Sequence, residues 1–211
     1  MLESPHLATA KNVTVAVREM YGRPRSLRRS RFIAQAGVIA ALYAVLTIIV
    51  LQLPGTLGWG LIQLRLSEAL TVIAALTPAA IPGLWLGAVV ANLFMVPQAG
   101  PVALLDIVLG STATLLGALW TWRFRERRAL ALLGPVIFNA LIIPAYLPFI
   151  LLGLGIYEVP IVGVDLEGSW LAMYLFGVVS IGIGQAIVVY GLGWPLLASL
   201  DRSRIFNAEE Q

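Results

Sequence analysis

The stretch Ile62–Leu93, IQLRLSEALTVIAALTPAAIPGLWLGAVVANL, decides the fold of this chain of 211 residues. It is a long apolar run that carries Arg65 and Glu68 three residues apart, followed by two prolines and an asparagine. A charged side chain near the centre of a bilayer costs roughly 2.5–3.5 kcal/mol on insertion scales, and polar groups kept at that cost usually line a binding site or a path. The stretch therefore predicts a membrane helix that carries part of a site.

The composition extends this prediction to the whole chain. Hydrophobic residues make up 59% of it and charged residues 12%, whereas soluble domains average about 25% charged residues. The absence of cysteine excludes disulfides and thiol catalysis. The only histidine, His6, lies in a polar leader, so no metal site, cofactor or histidine base is expected.

A spanning helix needs about 20 apolar residues. We predict an all-α integral membrane protein in three parts: a basic leader (1–31), a membrane domain (32–200) and a tail (201–211). The predicted helices of the membrane domain are Phe32–Leu53, Leu64–Leu76, Ile81–Val96, Val102–Trp122, Leu130–Leu152 and Ser169–Leu200. Between the last two, residues 153–168 are predicted to form a loop.

The distribution of basic residues supports a bundle of six transmembrane helices with both termini in the cytoplasm. Seven Lys and Arg residues precede the first helix, four follow the fourth and two follow the sixth. With six spans, these 13 of the 14 basic residues lie on one side, as the positive-inside rule requires. Only Arg65 falls on the other side, and the pattern does not indicate a nucleic-acid partner.

This topology brings polar residues of several helices to one depth. Glu68 lies roughly 6 Å below the outer end of its helix, because an α-helix rises about 1.5 Å per residue. Asp106 lies at a similar depth in the fourth helix. We predict a substrate pocket open to the outside, with these candidate residues: Arg65, Glu68, Asn92, Asp106, Tyr146 and the interfacial Trp59.

The charged residues of the pocket have structural interpretations as well. Arg65 and Glu68 can form a local ion pair on one helix face, and this is compatible with a role in ligand binding. Asp106 has no basic residue within a turn of its own helix, so it needs a partner on another helix, a water-filled cavity or a cationic ligand. For Asn139 and Gln185, hydrogen bonds between helices are the preferred interpretation.

The first helix carries a stripe of small residues, Ala36, Ala40 and Ala44, four positions apart. Such a stripe allows another helix to approach closely. The pattern alone favours packing inside the chain's own bundle over docking to a partner subunit.

Several motifs of energy conversion are absent from the sequence. There is no P-loop, no set of nucleophile and base in the predicted membrane segments, and no obvious repeat of three helices of the kind that many secondary transporters have. The chain is therefore predicted not to be an enzyme, and to need a partner or an ion gradient if it transports a solute.

Three stretches resemble the QueT family, the substrate-binding S components of energy-coupling factor (ECF) transporters. They are RLSEALTVIAALTPAAIPGLWLG from Arg65, LLDIVLGSTATLLGA from Leu104 and IGIGQAIVVYGLGWPLL from Ile181. The resemblance implies a prokaryotic, multi-pass plasma-membrane subunit with a transmembrane coupling subunit and two cytoplasmic ATPases as partners. It also implies that the alanine stripe of the first helix meets the coupling subunit.

The resemblance further implies a queuosine precursor, a 7-deazaguanine base, as substrate. A guanine-like edge offers an N–H and an amino group side by side, and a carboxylate accepts both in a paired geometry. Glu68 and Asp106 are expected to divide this contact and the contact to a cationic aminomethyl substituent. The alternatives are an S component for another vitamin or nucleobase, and a self-sufficient secondary transporter.

Overall fold

A computed structural model describes residues 25–51, 64–94, 96–153, 155, 158–159, 164–165, 169–203 and 206. Most of the leader, the tail beyond 206 and the predicted site residue Trp59 lie outside the described residues. From Gln35 onward the described residues belong to one compact unit, and every contact discussed below lies within it.

Among the described residues the fold is helical, apart from one very small sheet. We number the main helices in chain order: α1 Arg25–Leu51, α2 Leu66–Ala75, α3 Ala80–Leu93, α4 Gly100–Arg123, α5 Arg128–Gly153 and α6 Trp170–Ser203. A single helical turn, Val96–Ala99, precedes α4. The predicted all-α class is confirmed.

Four of these helices are long and apolar enough to cross a bilayer: α4, α5, α6 and the part of α1 from Arg28. The helices α2 and α3 are shorter, since the segment between them contains Pro78, and a proline disfavours helix at the residue before it. Large apolar side chains lie exposed along all four long helices, for example Val38, Val108, Phe149 and Val179. Such an outer surface suits lipid rather than water.

Two of the predicted segments differ from the structure in local geometry. The second helix is a 3-10 helix of ten residues rather than an α-helix. The predicted loop at 153–168 contains two short strands, β1 Glu158–Val159 and β2 Val164–Asp165. They pair antiparallel, with Glu158 opposite Asp165.

Glycines set the closest approach between α1 and α3. A methyl group added at Gly83 would lie 2.8 Å from the carbonyl oxygen of Ala36, and one added at Gly87 would lie 2.7 Å from that of Ala40. Ala40 and Ala44 are buried and Ala36 is half-buried. The alanine stripe therefore packs within the chain, which is the interpretation that the pattern alone favoured.

Close packing also joins α4 to α5. A methyl group at Gly117 would lie 2.9 Å from the Cα atom of Pro135. Since Pro135 has no N–H, the carbonyl of Ala131 lacks its usual donor in the helix. The hydroxyl of Thr121 donates to this carbonyl at 3.1 Å, so α4 satisfies a group that the proline of α5 leaves free.

Candidate functional site

Two of the charged residues of the site, Arg65 and Glu68, lie at the start of α2. In a 3-10 helix the side chains at i and i+3 eclipse each other, so Glu68 and Thr71 lie on the same face, and Arg65 precedes the helix at its N-cap position. Glu68 is fully buried and Arg65 is 5% exposed. Burial at these positions requires partners for both charges.

Arg65 pairs with Asp106 of α4 across the bundle. Its Nη2 atom lies 3.3 Å from Oδ2 of Asp106. Tyr146 of α5 donates its hydroxyl to the other carboxylate oxygen at 2.5 Å, and Asn92 of α3 donates to the carbonyl oxygen of Asp106 at 2.8 Å. We call Arg65, Asn92, Asp106 and Tyr146 the aspartate group.

The aspartate group answers the question that the sequence raised about Asp106. Its cationic partner is Arg65, from another helix. The ion pair of Arg65 is therefore with Asp106, and the structure corrects the interpretation of a local pair with Glu68. Asp106 also begins a π-helical turn, Asp106–Gly110. Such turns are frequent at functional sites.

Glu68 is the centre of a second set of contacts. Tyr43 of α1 donates its hydroxyl to Oε1 of Glu68, and Asn139 of α5 donates its amide to Oε2 at 3.2 Å. Thr114 of α4 lies 3.4 Å from the Tyr43 hydroxyl. We call Tyr43, Glu68, Thr114 and Asn139 the glutamate group.

The two groups lie at different levels of the same bundle, rather than at the one depth expected from the sequence. Asn139 and Tyr146 are seven residues apart on α5, which at about 1.5 Å per residue separates their levels by roughly 10 Å.

With both carboxylates ionised, Arg65, Glu68 and Asp106 together carry one net negative charge. Arg65 is paired with Asp106. Within the described residues, the side chains that donate to Glu68 are neutral, those of Tyr43 and Asn139. The glutamate group is thus suited to a ligand with N–H donors or a positive charge.

Five of the six predicted site residues come together in these groups, and the sixth, Trp59, lies outside the described residues. The sequence missed Tyr43, Thr114 and the role of Asn139 beside Glu68. Tyr43 lies in an apolar helix with nothing in its neighbourhood to mark it. Asn139, an amide in the middle of a long apolar helix, carried a signal, but hydrogen bonding between helices explained it equally well.

Two aromatic residues near the start of α6 contact each other. The rings of Trp170 and Tyr174 stack with their centroids 5.3 Å apart. Trp170 also donates to the carbonyl oxygen of Ala145 at 3.2 Å, and Tyr174 donates to that of Leu141 at 3.3 Å. In this arrangement they hold the start of α6 against α5.

Three buried side-chain atoms have no hydrogen-bond partner within the described part of the chain. They are Nε of Arg65, Oδ1 of Asn139 and Oε1 of Gln185. Buried polar atoms are almost always hydrogen-bonded in native proteins. Two of these three atoms belong to members of the site, Arg65 and Asn139.

The sequence model of the QueT transporter family matches residues 33–202 of the chain, a range that contains every member of the two groups. No curated protein matches the chain, and no solved structure matches it.

Proposed function

The chain belongs to the QueT transporter family, and from this premise we propose that it is the substrate-binding S component of an ATP-driven ECF uptake transporter. Its substrate is a queuosine precursor of the 7-deazaguanine type, captured from outside the cell. The chain itself carries out no catalysis. All six helices lie in the plasma membrane of a prokaryote, with both termini in the cytoplasm.

One observation carries the proposal. Charged and polar side chains from five helices meet inside a helical body whose outer surface is apolar. Intramembrane charges of this kind are expensive, and they usually mark a pathway or a site for a substrate. The transporter family supplies the class of protein, and the two carboxylates supply the chemistry for a ligand rich in N–H donors.

The roles of the residues follow from their partners. Glu68, held by Tyr43 and Asn139, keeps lone pairs that are free to accept a hydrogen bond from an N–H group of a guanine-like edge. Asp106, Arg65 and Tyr146 bind the other end of the substrate, where the free Nε–H of Arg65 donates to an acceptor. Asn92 holds Asp106 in place, and Trp59, which lies outside the described residues, is proposed as a further contact to the substrate.

We propose that the energy for uptake comes from partner subunits. A transmembrane coupling subunit and two cytoplasmic ATPases would complete the transporter, and the alanine stripe Ala36, Ala40 and Ala44 is the proposed contact to the coupling subunit. Because Ala40 and Ala44 are buried against the chain's own helices, this contact would need α1 to present the stripe differently in the complex. Uptake that continues without any ATPase would favour the secondary transporter instead.

The first test is binding to the purified chain, measured by calorimetry with 7-deazaguanines, guanine and common vitamins. Glu68→Gln and Asp106→Asn should each weaken binding of the 7-deazaguanine by roughly tenfold to a hundredfold. A hydrogen bond to a charged group contributes about 1.5–3 kcal/mol, and about 1.4 kcal/mol corresponds to a factor of ten in affinity.

The matched control for both variants is Asp201→Asn. It makes the same change of carboxylate to amide at the far end of α6, where Asp201 pairs with Arg128 at 2.5 Å. This variant should bind like the wild type. Wild-type affinity in both Glu68→Gln and Asp106→Asn would remove the proposed site, and binding of a different vitamin would keep the S-component role but change the substrate.

A further inference from the structure

The unpaired amide oxygen of Asn139 points to a recognition element that the site described so far does not use. Asn139 is fully buried. Its Nδ2 atom donates both to Oε2 of Glu68 at 3.2 Å and to the carbonyl oxygen of Pro135 at 2.9 Å. The carbonyl oxygen of Pro135 can only accept, and so can the Glu68 carboxylate when it is ionised. This fixes the orientation of the amide, and the atom left without a partner is an acceptor.

Gln185 of α6 is a second buried amide whose oxygen has no partner in the described residues. Ile181, one turn earlier, packs among apolar side chains of α5. Val189, one turn later, packs with Val72 of α2 and Leu132 of α5. Gln185 lies between these two contacts on the same face of α6, so its side chain is directed into the bundle where α2, α5 and α6 meet.

The contact between α5 and α6 brings Gln185 near Asn139. A methyl group added at Gly182, three residues before Gln185, would lie 3.5 Å from Cβ of Ala140, the residue after Asn139. On α5, Asn139 lies between Leu132 and the apolar residues that contact Ile181. On α2, Glu68 precedes Val72 by about one turn. Gln185 is 2% exposed, and its Oε1 atom has no partner in the described residues. A second buried acceptor without a partner therefore lies along the contact between α5 and α6, outside the hydrogen bonds of the glutamate group.

We propose that Asn139 and Gln185, together with Glu68, form a specificity-determining subsite that reads adjacent N–H donors of the substrate. The subsite takes an exocyclic amine next to a ring N–H: Glu68 accepts from one group, and the Asn139 oxygen accepts from the other. Gln185 offers an amide that can present its acceptor to the remaining N–H. This inference rests on the proposed function and assigns the selective contact within that site.

The subsite predicts discrimination against ligands that lack the amine. When a site is built to hydrogen-bond an N–H group, an analogue without that group leaves buried acceptors unpaired and is rejected. The wild-type chain should bind 7-deazaguanine at least tenfold more tightly than 7-deazahypoxanthine, which has the same ring system without the exocyclic amino group. This comparison uses the unaltered protein, so it does not depend on whether any variant folds.

Variants then assign the discrimination to the two amides. Gln185→Met and Asn139→Leu replace each amide by an apolar side chain of similar size, and each should reduce the preference to about twofold or less. The control is Thr121→Val, which removes a buried hydrogen bond between α4 and α5 away from the site. It should keep the full preference even if it lowers the melting temperature.

Three results would overturn the inference. Equal affinity of the wild type for the two ligands would show that no amine is read. A full preference retained in Gln185→Met and Asn139→Leu would place the selective contact elsewhere, while the proposed function stands. No binding of either ligand, with tight binding of an unrelated vitamin, would remove the substrate assignment and this subsite with it.

Discussion

At the scale of single residues, Gly110 makes room for the contact between Asp106 and Tyr146. A methyl group at Gly110 would collide with Oδ1 of Asp106 and would lie 2.9 Å from the hydroxyl of Tyr146. Gly110 ends the π-helical turn that Asp106 begins. A residue without a side chain is therefore needed here for a polar contact between two other residues.

Gly110→Ala should weaken binding of the 7-deazaguanine by roughly tenfold, because the hydrogen bond from Tyr146 to a charged carboxylate is worth about 1.5–3 kcal/mol and its geometry would be lost. The measurement is calorimetric binding to the purified variant. Gly191→Ala is the matched control, since a methyl group there meets nothing within 4 Å. Equal binding by Gly110→Ala and Gly191→Ala would show that the Asp106–Tyr146 contact plays no part in the site.

At the scale of elements, the packing of α3 on α1 positions the glutamate group. Gly87 lets the backbone of α3 approach Ala40, and a methyl group there would also lie 2.9 Å from Cβ of Tyr43. Tyr43 in turn holds Glu68. A substitution that pushes α1 and α3 apart would therefore displace Tyr43, and with it the Glu68 carboxylate that is proposed to bind the substrate.

Gly87→Ala should lower the free energy of unfolding by about 1–3 kcal/mol, the usual cost of overpacking a tight contact. The fall should be visible as a lower melting temperature of the purified protein, together with weaker substrate binding. Gly37→Ala changes the same residue type on α1, at a position where an added methyl group meets nothing, and should melt like the wild type. An unchanged melting temperature for Gly87→Ala would mean that α1 and α3 are packed less closely than described.

At the scale of the whole molecule, the proposed six spans make a prediction about sidedness. Four of the described helices are long enough to cross a bilayer on their own. The total number of spans therefore depends on whether α2 and α3 also cross the bilayer. Because both are short, length alone does not decide the number of spans. Helix α5 separates the turn after α4, which contains Arg125 and Arg127, from the hairpin of β1 and β2, which contains Glu158 and Asp165. If α5 crosses the membrane once, the turn and the hairpin lie on opposite sides.

Single cysteines test the predicted sides of the two termini, the turn and the hairpin, and they can be introduced one at a time because the chain contains no cysteine. Four spans and six spans predict the same labelling at these positions. In intact cells a membrane-impermeant maleimide should label Glu158→Cys in β1, and should label Ser30→Cys, Glu126→Cys and Ser203→Cys only after the cells are opened. The difference follows from an outside position for the hairpin and a cytoplasmic position for the other three. Labelling of either Ser30→Cys or Ser203→Cys alone in intact cells would exclude an even number of spans.

The sequence by itself determined the class of the molecule and most of its helices. Composition and hydropathy depend on single residues and their neighbours along the chain. The ends of the predicted helices Phe32–Leu53 and Leu130–Leu152 therefore agree with the structure to within a few residues, except for the start of the first, which lies at Arg25. The charges inside apolar runs, Arg65, Glu68 and Asp106, were recognised as site candidates for the same reason. The cost of burying a charge is visible in the sequence without knowledge of its partner.

Only the tertiary structure decided which groups pair. Arg65 joins Asp106, 41 positions away, rather than Glu68 in its own segment, because the 3-10 helix and the π-helical turn bring their side chains together. Tyr43 and Asn139 became members of the site through contacts with Glu68 across 25 and 71 positions. Such contacts depend on how helices pack, and helix packing is set by glycines and prolines whose effect appears only when the helices meet.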